Sequence, residues 1–247
     1  MRRVLLLFAV TIIFGVYFSI EGKTKSEVLL IGSVHEQHTK PDVYPLSILT
    51  KALEVYKPDA LLIEISPENL KKQDWTKSPP EAALLYVTAQ RLDIPVYGID
   101  ADKTKPSKPP TAEAKKERQS LMDDVGGYGF TEVHSPKADK ALAKHYKHRD
   151  EDREKAMDKN VMTLLQDLKG KRFFVVTGFT HRHHLRQAVD DCCTLVSPLT
   201  LSIPKAQVPA EDLKAARKIW EKTLTDLKTS KAPSRKIEQL EKFLTIK

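Results

Sequence analysis

The sequence predicts an α/β domain with a mixed, largely parallel central sheet flanked by helices, a helical insertion and C-terminal helices. Two observations lead there. Short apolar runs alternate with single amphipathic helices between residues 28 and 100, and this alternation calls for right-handed crossovers and a parallel core. The composition is globular, with 40% hydrophobic residues in 247, so the chain can bury a core without covalent staples. No repeat of fixed period interrupts it, and residues 26–247 read as a single domain.

Val28-Leu-Leu-Ile31, ended by Gly32, has the pattern of a buried strand. Leu46, Leu49, Leu53 and Tyr56 share one face of a helix that Lys57-Pro-Asp59 stops. Ala60–Ile65 is a second strand. Ser78-Pro-Pro80 precedes a helix over Glu81–Leu92, and Ile94–Ile99 is a third strand. Residues 101–148 then read as an insertion or lid. A Lys/Pro-rich loop opens it, helices follow near 111–124 and 137–148, and Gly126-Gly-Tyr-Gly129 forms a loop between them. A long helix from about Arg149 to Leu168 carries an apolar stripe at Met157, Val161, Leu164 and Leu168. Arg172–Thr177 is a fourth strand ended by Gly178, His181–Val189 is helical, and 193–203 forms one or two further strands. Residues 209–247 form the C-terminal helices, the first striped with Leu213, Ala216, Trp220, Leu224 and Leu227 to dock on the core.

Arg2 and Arg3 precede an uncharged run from Val4 to Ile20. That is the layout of a signal peptide or membrane anchor over residues 1–22. Its charge places the globular part outside the cytoplasm, in the periplasm or secreted, with a membrane partner if the segment is retained. The net charge of +8 suggests nucleic acid, but the lysines gather at 103–116 and 205–247 without interleaved aromatics. A solvated surface is the better reading, and nucleic acid is excluded as a partner. Cys192 and Cys193 are adjacent, a spacing that fits neither a zinc motif nor an easy disulfide. They read as small buried hydrophobes, with a vicinal thiol role as the alternative.

Ligands of open α/β sheets bind beyond the carboxyl ends of the strands. Strand one ends in Gly32-Ser-Val-His35, strand two carries Glu64, strand three ends in Gly-Ile-Asp100, and strand four ends in Gly178-Phe-Thr-His181. If the strands are parallel, two imidazoles and two carboxylates converge on one rim, with glycines that let the backbone approach a ligand. Arg153 extends the apolar stripe of the long helix, where a buried guanidinium needs a partner such as Glu64 or Asp100. Asn160 lies beside that stripe. His35, Glu64 and His181 could hold a divalent metal ion with an open position. Without metal, the histidines could act as acid and base for ester or amide hydrolysis, with Arg153 holding an oxyanion or carboxylate. Binding of haem through a histidine is a third chemistry. His38, His183 and His184 read as surface histidines.

These motifs resemble the superfamily that joins TraB/PrgY pheromone-shutdown proteins, GumN-like proteins, Tiki peptidases, ChaN-type haem-binding lipoproteins and erythromycin esterase-like proteins. The resemblance rests on Gly32-Ser-Val-His35, Leu-Leu-Ile-Glu64, Arg153-Glu-Lys-Ala-Met157-Asp-Lys-Asn160, Tyr-Gly-Ile-Asp100 and Val-Val-Thr-Gly178-Phe-Thr-His181, over about residues 28–190. It implies a site made of His35, Glu64, Arg153 and His181; Asp100, Asn160 and Ser33 are candidates to bind substrate. The resemblance leaves the activity open, because members range from metal-dependent peptidases through esterases to haem carriers. The leading expectation is a metal-dependent, peptidase-like hydrolase acting outside the cytoplasm on a peptide or small molecule. A haem or ligand carrier and a peptide-binding regulator are the alternatives. Residues 101–135 match none of these relatives, and the lipobox cysteine of a ChaN-type lipoprotein is absent.

Overall fold

The structure, a computed structural model, describes residues 25–40, 42–101, 111–145 and 151–246. The segment read as a signal or anchor lies outside these residues, as does most of the Lys/Pro-rich loop. No helix among the described residues is long and apolar enough to cross a membrane.

Five strands form one sheet: β1 (Ser26–Ser33), β2 (Ala60–Ile63), β3 (Val96–Gly98), β4 (Arg172–Gly178) and β5 (Cys193–Val196). Their order is β3-β2-β4-β1-β5, and every pairing is parallel. The expectation of a mixed sheet therefore narrows to a wholly parallel one among these strands. Both faces are covered. Leu29, Ile31, Leu61, Ile63, Phe174 and Val176 point into one core, while Val28, Leu30, Leu62, Phe173 and Val175 point into the other. Burial on two sides is why these strands read as continuous apolar runs rather than alternating ones.

The helices divide between the two faces. Helices α1 (Leu46–Tyr56), α2 (Pro67–Lys72) and α3 (Pro80–Arg91) belong to the first half of the chain. Of these, α1 and α3 carry the crossovers on the first face. Helix α1 buries Leu46, Leu49, Leu53 and Tyr56 as its periodicity predicts, and Lys57 ends it in a left-handed conformation with its N–H on the Leu53 carbonyl. The insertion supplies α4 (Ala112–Val125), α5 (Phe130–Val133) and α6 (Pro136–His145). The one-turn helix α5 was not legible behind the glycine cluster, where Gly126 and Gly127 turn at positive φ.

Helices α7 (Glu151–Asp167) and α8 (Arg182–Asp190) cross on the second face. The buried stripe of α7 runs through Met157, Val161 and Leu165, with Leu164 and Leu168 only partly buried. A helix of 3.6 residues per turn keeps i, i+4, i+8 on this face, which moves the stripe one residue from where the sequence suggested. Helix α9 (Ala210–Thr229) lies on α3 as expected, and α10 (Ser234–Leu244) packs on α9. Trp220 donates its indole N–H to the Pro80 carbonyl at 2.9 Å and packs edge-on against Phe243. Asp212 accepts from Thr88 and is paired with Arg91 at 2.8 Å.

The crossover that leaves β1 runs on one face and the crossover that leaves β4 runs on the other. These two strands are neighbours, so a crevice opens beyond their carboxyl ends, where a parallel sheet binds its ligands.

Candidate active site at the carboxyl rim

Because every strand points the same way, the residues that follow them line one rim in sheet order: Asp100 after β3, Glu64 after β2, His181 after β4 and His35 after β1. The convergence expected from the sequence is present, and Arg153 joins it from the first turns of α7. Its guanidinium grips Asp100 with two bonds, Nε to Oδ1 at 2.7 Å and Nη2 to Oδ2 at 2.9 Å. Nη2 also donates to Glu64 Oε1 at 2.6 Å, and Nη1 lies 2.9 Å from His181 Nε2. The planar fork of arginine makes such a bidentate hold possible. Only 16% of the Arg153 side chain is exposed, so its opposite charges answer the cost of burying it.

Glu64 is buried and accepts from the Gly178 N–H at 2.5 Å and from the Thr177 hydroxyl at 3.3 Å through its second oxygen. Burial pushes its carboxyl up. Arg153, His35 and the Gly178 amide outweigh that and hold it well below the usual carboxylate range.

Each histidine of the two Gly-x-x-His motifs is backed by a buried carboxylate. His181 Nδ1 meets Glu154 Oε1 at 2.6 Å, and His35 Nδ1 meets Glu81 Oε1 at 2.7 Å. With its Nδ1–H donated to Glu154, His181 accepts from Arg153 at Nε2. The Ser33 hydroxyl also donates to Glu81. His35 sits in a left-handed backbone conformation, φ 48°, uncommon for a residue with a side chain. A third of its side chain (33%) remains exposed. Burial lowers its pKa, but the Glu81 carboxylate and Glu64 outweigh it and raise the imidazole above its ordinary value.

Glu81 and Glu154 were not singled out in the sequence. Glu154 stands in a charged run that reads as a solvated helix start, and Glu81 reads as an ordinary first-turn acid. The one available signal was the continuous Ala82–Leu85 run behind Glu81, which buries the first turn of α3 on every side.

Asp100, Asn160 and Ser33, candidates to bind substrate, are turned to neighbouring residues. Asp100 clamps Arg153, Asn160 donates to the carbonyls of Ile99 and Asp100 at 3.2 and 3.3 Å, and Ser33 holds Glu81. Two further histidines brace the rim from below. His38, expected on the surface, is buried, accepting from the Val34 N–H at 3.1 Å and donating to the Tyr44 carbonyl. His134, from the insertion, accepts from the Gly32 N–H at 3.0 Å and donates to the Phe130 carbonyl. Burial lowers these imidazoles to about 4 and about 3, respectively. Both are therefore neutral, with their tautomers fixed by the backbone.

Two cavities meet at His35. One of about 460 Å³ runs past Glu64, Trp75, Pro80 and Trp220 toward α9 and α10. The other, about 380 Å³, is lined by Arg118, Tyr128, His145, Arg153 and His181. Together they open the His35 ring to solvent.

No known family, curated protein or solved structure matches the chain. The site is therefore read from its own chemistry.

The expected metal ligands His35, Glu64 and His181 are close together, but His181 Nε2 and Glu64 Oε1 both face Arg153. A divalent ion on these three would have to take the place of the guanidinium. Among the described residues, no group of three His, Cys, Asp or Glu side chains is arranged to hold a metal. In this arrangement the residues do not fit such an ion.

Proposed function

We propose that this chain is a hydrolase of ester or amide bonds, with water as the nucleophile and His35 as the general base and acid. The observation that carries the reading is the His35–Glu81 pair. Its Nδ1–H is held by a buried carboxylate, its ring borders both cavities, and its backbone is strained. A base must be within reach of the proton it removes and oriented by a third group. Neutral His35 takes a proton from water through Nε2 as the water attacks the carbonyl. Glu81 stabilises the imidazolium that forms, and the proton then passes to the leaving group. Arg153, fixed by Asp100 and Glu64, presents positive charge beside the cavity, where an oxyanion would develop. Ser33 is buried and committed to Glu81, which supports water rather than serine as the nucleophile.

The resemblance to a superfamily that includes esterases and peptidases is consistent with this chemistry. The test is turnover of a panel of chromogenic esters and peptides by the full chain, compared with His35→Ala. Loss of about 10²–10⁴-fold is expected for removal of a general base. A variant as fast as the wild type overturns the assignment of His35. Wild type that hydrolyses nothing but develops a Soret band with added haem replaces the hydrolase by a ligand carrier.

A further inference from the structure

At the opposite end of the sheet from the rim, the turn after α8 brings three sulfur atoms together. Cys192 Sγ lies 3.2 Å from Cys193 Sγ and 4.0 Å from Met162 Sδ on α7. Cys192 is exposed and Cys193 buried. A cavity of about 360 Å³ opens beside them, walled by Lys25, Ser26, Met162, Leu165 and Lys169. The thiols are not joined, since 3.2 Å is far beyond a sulfur–sulfur bond of about 2.05 Å.

We propose that Cys192, Cys193 and Met162 form a binding site for one monovalent copper ion. Thiolate and thioether ligands select soft ions, copper(I) foremost. A structural zinc site takes four protein ligands, and no nitrogen or carboxylate ligand completes such a set here among the described residues. Binding breaks two S–H bonds and forms two Cu–S bonds, with the Met162 thioether as a third ligand. Two protons leave to solvent and copper stays in its +1 state. The bis-thiolate unit then carries one net negative charge, which Lys25 faces. Burial, with its neighbour Cys192, pushes the Cys193 thiol up to about 12, against the pull of Lys25. This site shares no residue with the rim and does not rest on the hydrolase reading.

The test uses the full chain, reduced, titrated anaerobically with copper(I) in competition with the chromogenic chelator bathocuproine disulfonate. One copper per chain is expected, with only sulfur in its first coordination shell by X-ray absorption. Cys192→Ser alone, at an exposed position that leaves the fold intact, abolishes uptake. Met162→Leu keeps the stoichiometry and weakens binding, and His181→Ala binds as the wild type does. Wild type that takes no copper from the chelator, Cys192→Ser with wild-type affinity, or nitrogen in the first shell would each overturn the site. So would a Cys192–Cys193 disulfide that withstands the reductant.

Discussion

Gly178 and His35 fit together only because Gly178 has no side chain: a Cβ there would stand 2.8 Å from His35 Nε2 and 3.3 Å from Glu64 Oε2. The relation is reciprocal between the motifs, since a Cβ on Gly32 would stand 2.9 Å from the Cα of Phe179. Each glycine makes room for the other motif, so the recurrence of Gly-x-x-His is a packing requirement of two neighbouring strand ends. Gly178→Ala is expected to destabilise the fold by about 1–3 kcal/mol, the usual cost of overpacking, and to shift the His35 ring. Urea unfolding and the His35 imidazole resonances check both. Unchanged resonances would show that the ring does not depend on this contact.

Glu81 raises the His35 pKa, so its removal lowers that pKa. As a base, His35 acts in its neutral form, and the rate of the wild type rises with pH through a midpoint above the ordinary 6.5. Glu81→Gln moves that midpoint to lower pH and slows the plateau, because the imidazolium loses its stabilising carboxylate. A pH–rate profile with a parallel NMR titration of His35 measures this. A midpoint that stays in place would detach Glu81 from the base.

The pH dependence of stability follows from the imidazoles buried beneath the rim. His38 and His134 have folded-state values lowered from 6.5 to about 4 and about 3. Their contribution is complete above 6.5 and is lost as pH falls through these folded values, while the unfolded chain takes up protons first. For His38 alone this is on the order of 3 kcal/mol. His35 has the opposite sign, stabilising fully below 6.5 and losing its contribution as pH rises through its raised value. Urea midpoints are expected to fall already between pH 6.5 and 4. A decline confined to pH below 4.5, where lowered carboxylates such as Glu64 and Glu81 give way, would assign acid sensitivity to them alone.

Arg153→Ala leaves Glu64 and Asp100 buried without their cation, and breaking such a pair costs about 3–5 kcal/mol. Arg153→Lys keeps the charge but cannot reach Asp100 with two bonds and Glu64 and His181 at once. Its stability is expected to fall between the two. Equal urea midpoints for wild type and Arg153→Ala would contradict the buried network.

Calorimetric titration with manganese, zinc and cobalt is expected to give no stoichiometric binding at the rim, because Arg153 occupies the space between His181 and Glu64. Binding that disappears in His181→Ala would restore the metal-dependent mechanism and require Arg153 to swing away.

What the sequence by itself determined is the set of segments and the chemistry at their ends. Buried strands announce themselves as apolar runs, helices by their period, and glycine and proline mark where each stops. These local signals therefore named His35, Glu64, Asp100, Arg153 and His181 from residues a few positions apart. They could not name the carboxylates behind the histidines. Glu81 and Glu154 look like any acid in a first helical turn, and their meaning arises 46 and 27 residues away in sequence, at His35 and His181. Nor could they distinguish a surface His38 from one buried against Val34 and Tyr44. Only the tertiary structure decided the strand order that seats His181 beside His35 and the turning of Ser33, Asp100 and Asn160 to their neighbours. It also placed Arg153 where a metal was expected. The physical reason is that a charge or imidazole takes its role from partners and burial, which are properties of packing across the chain and leave no mark on the local pattern of residues.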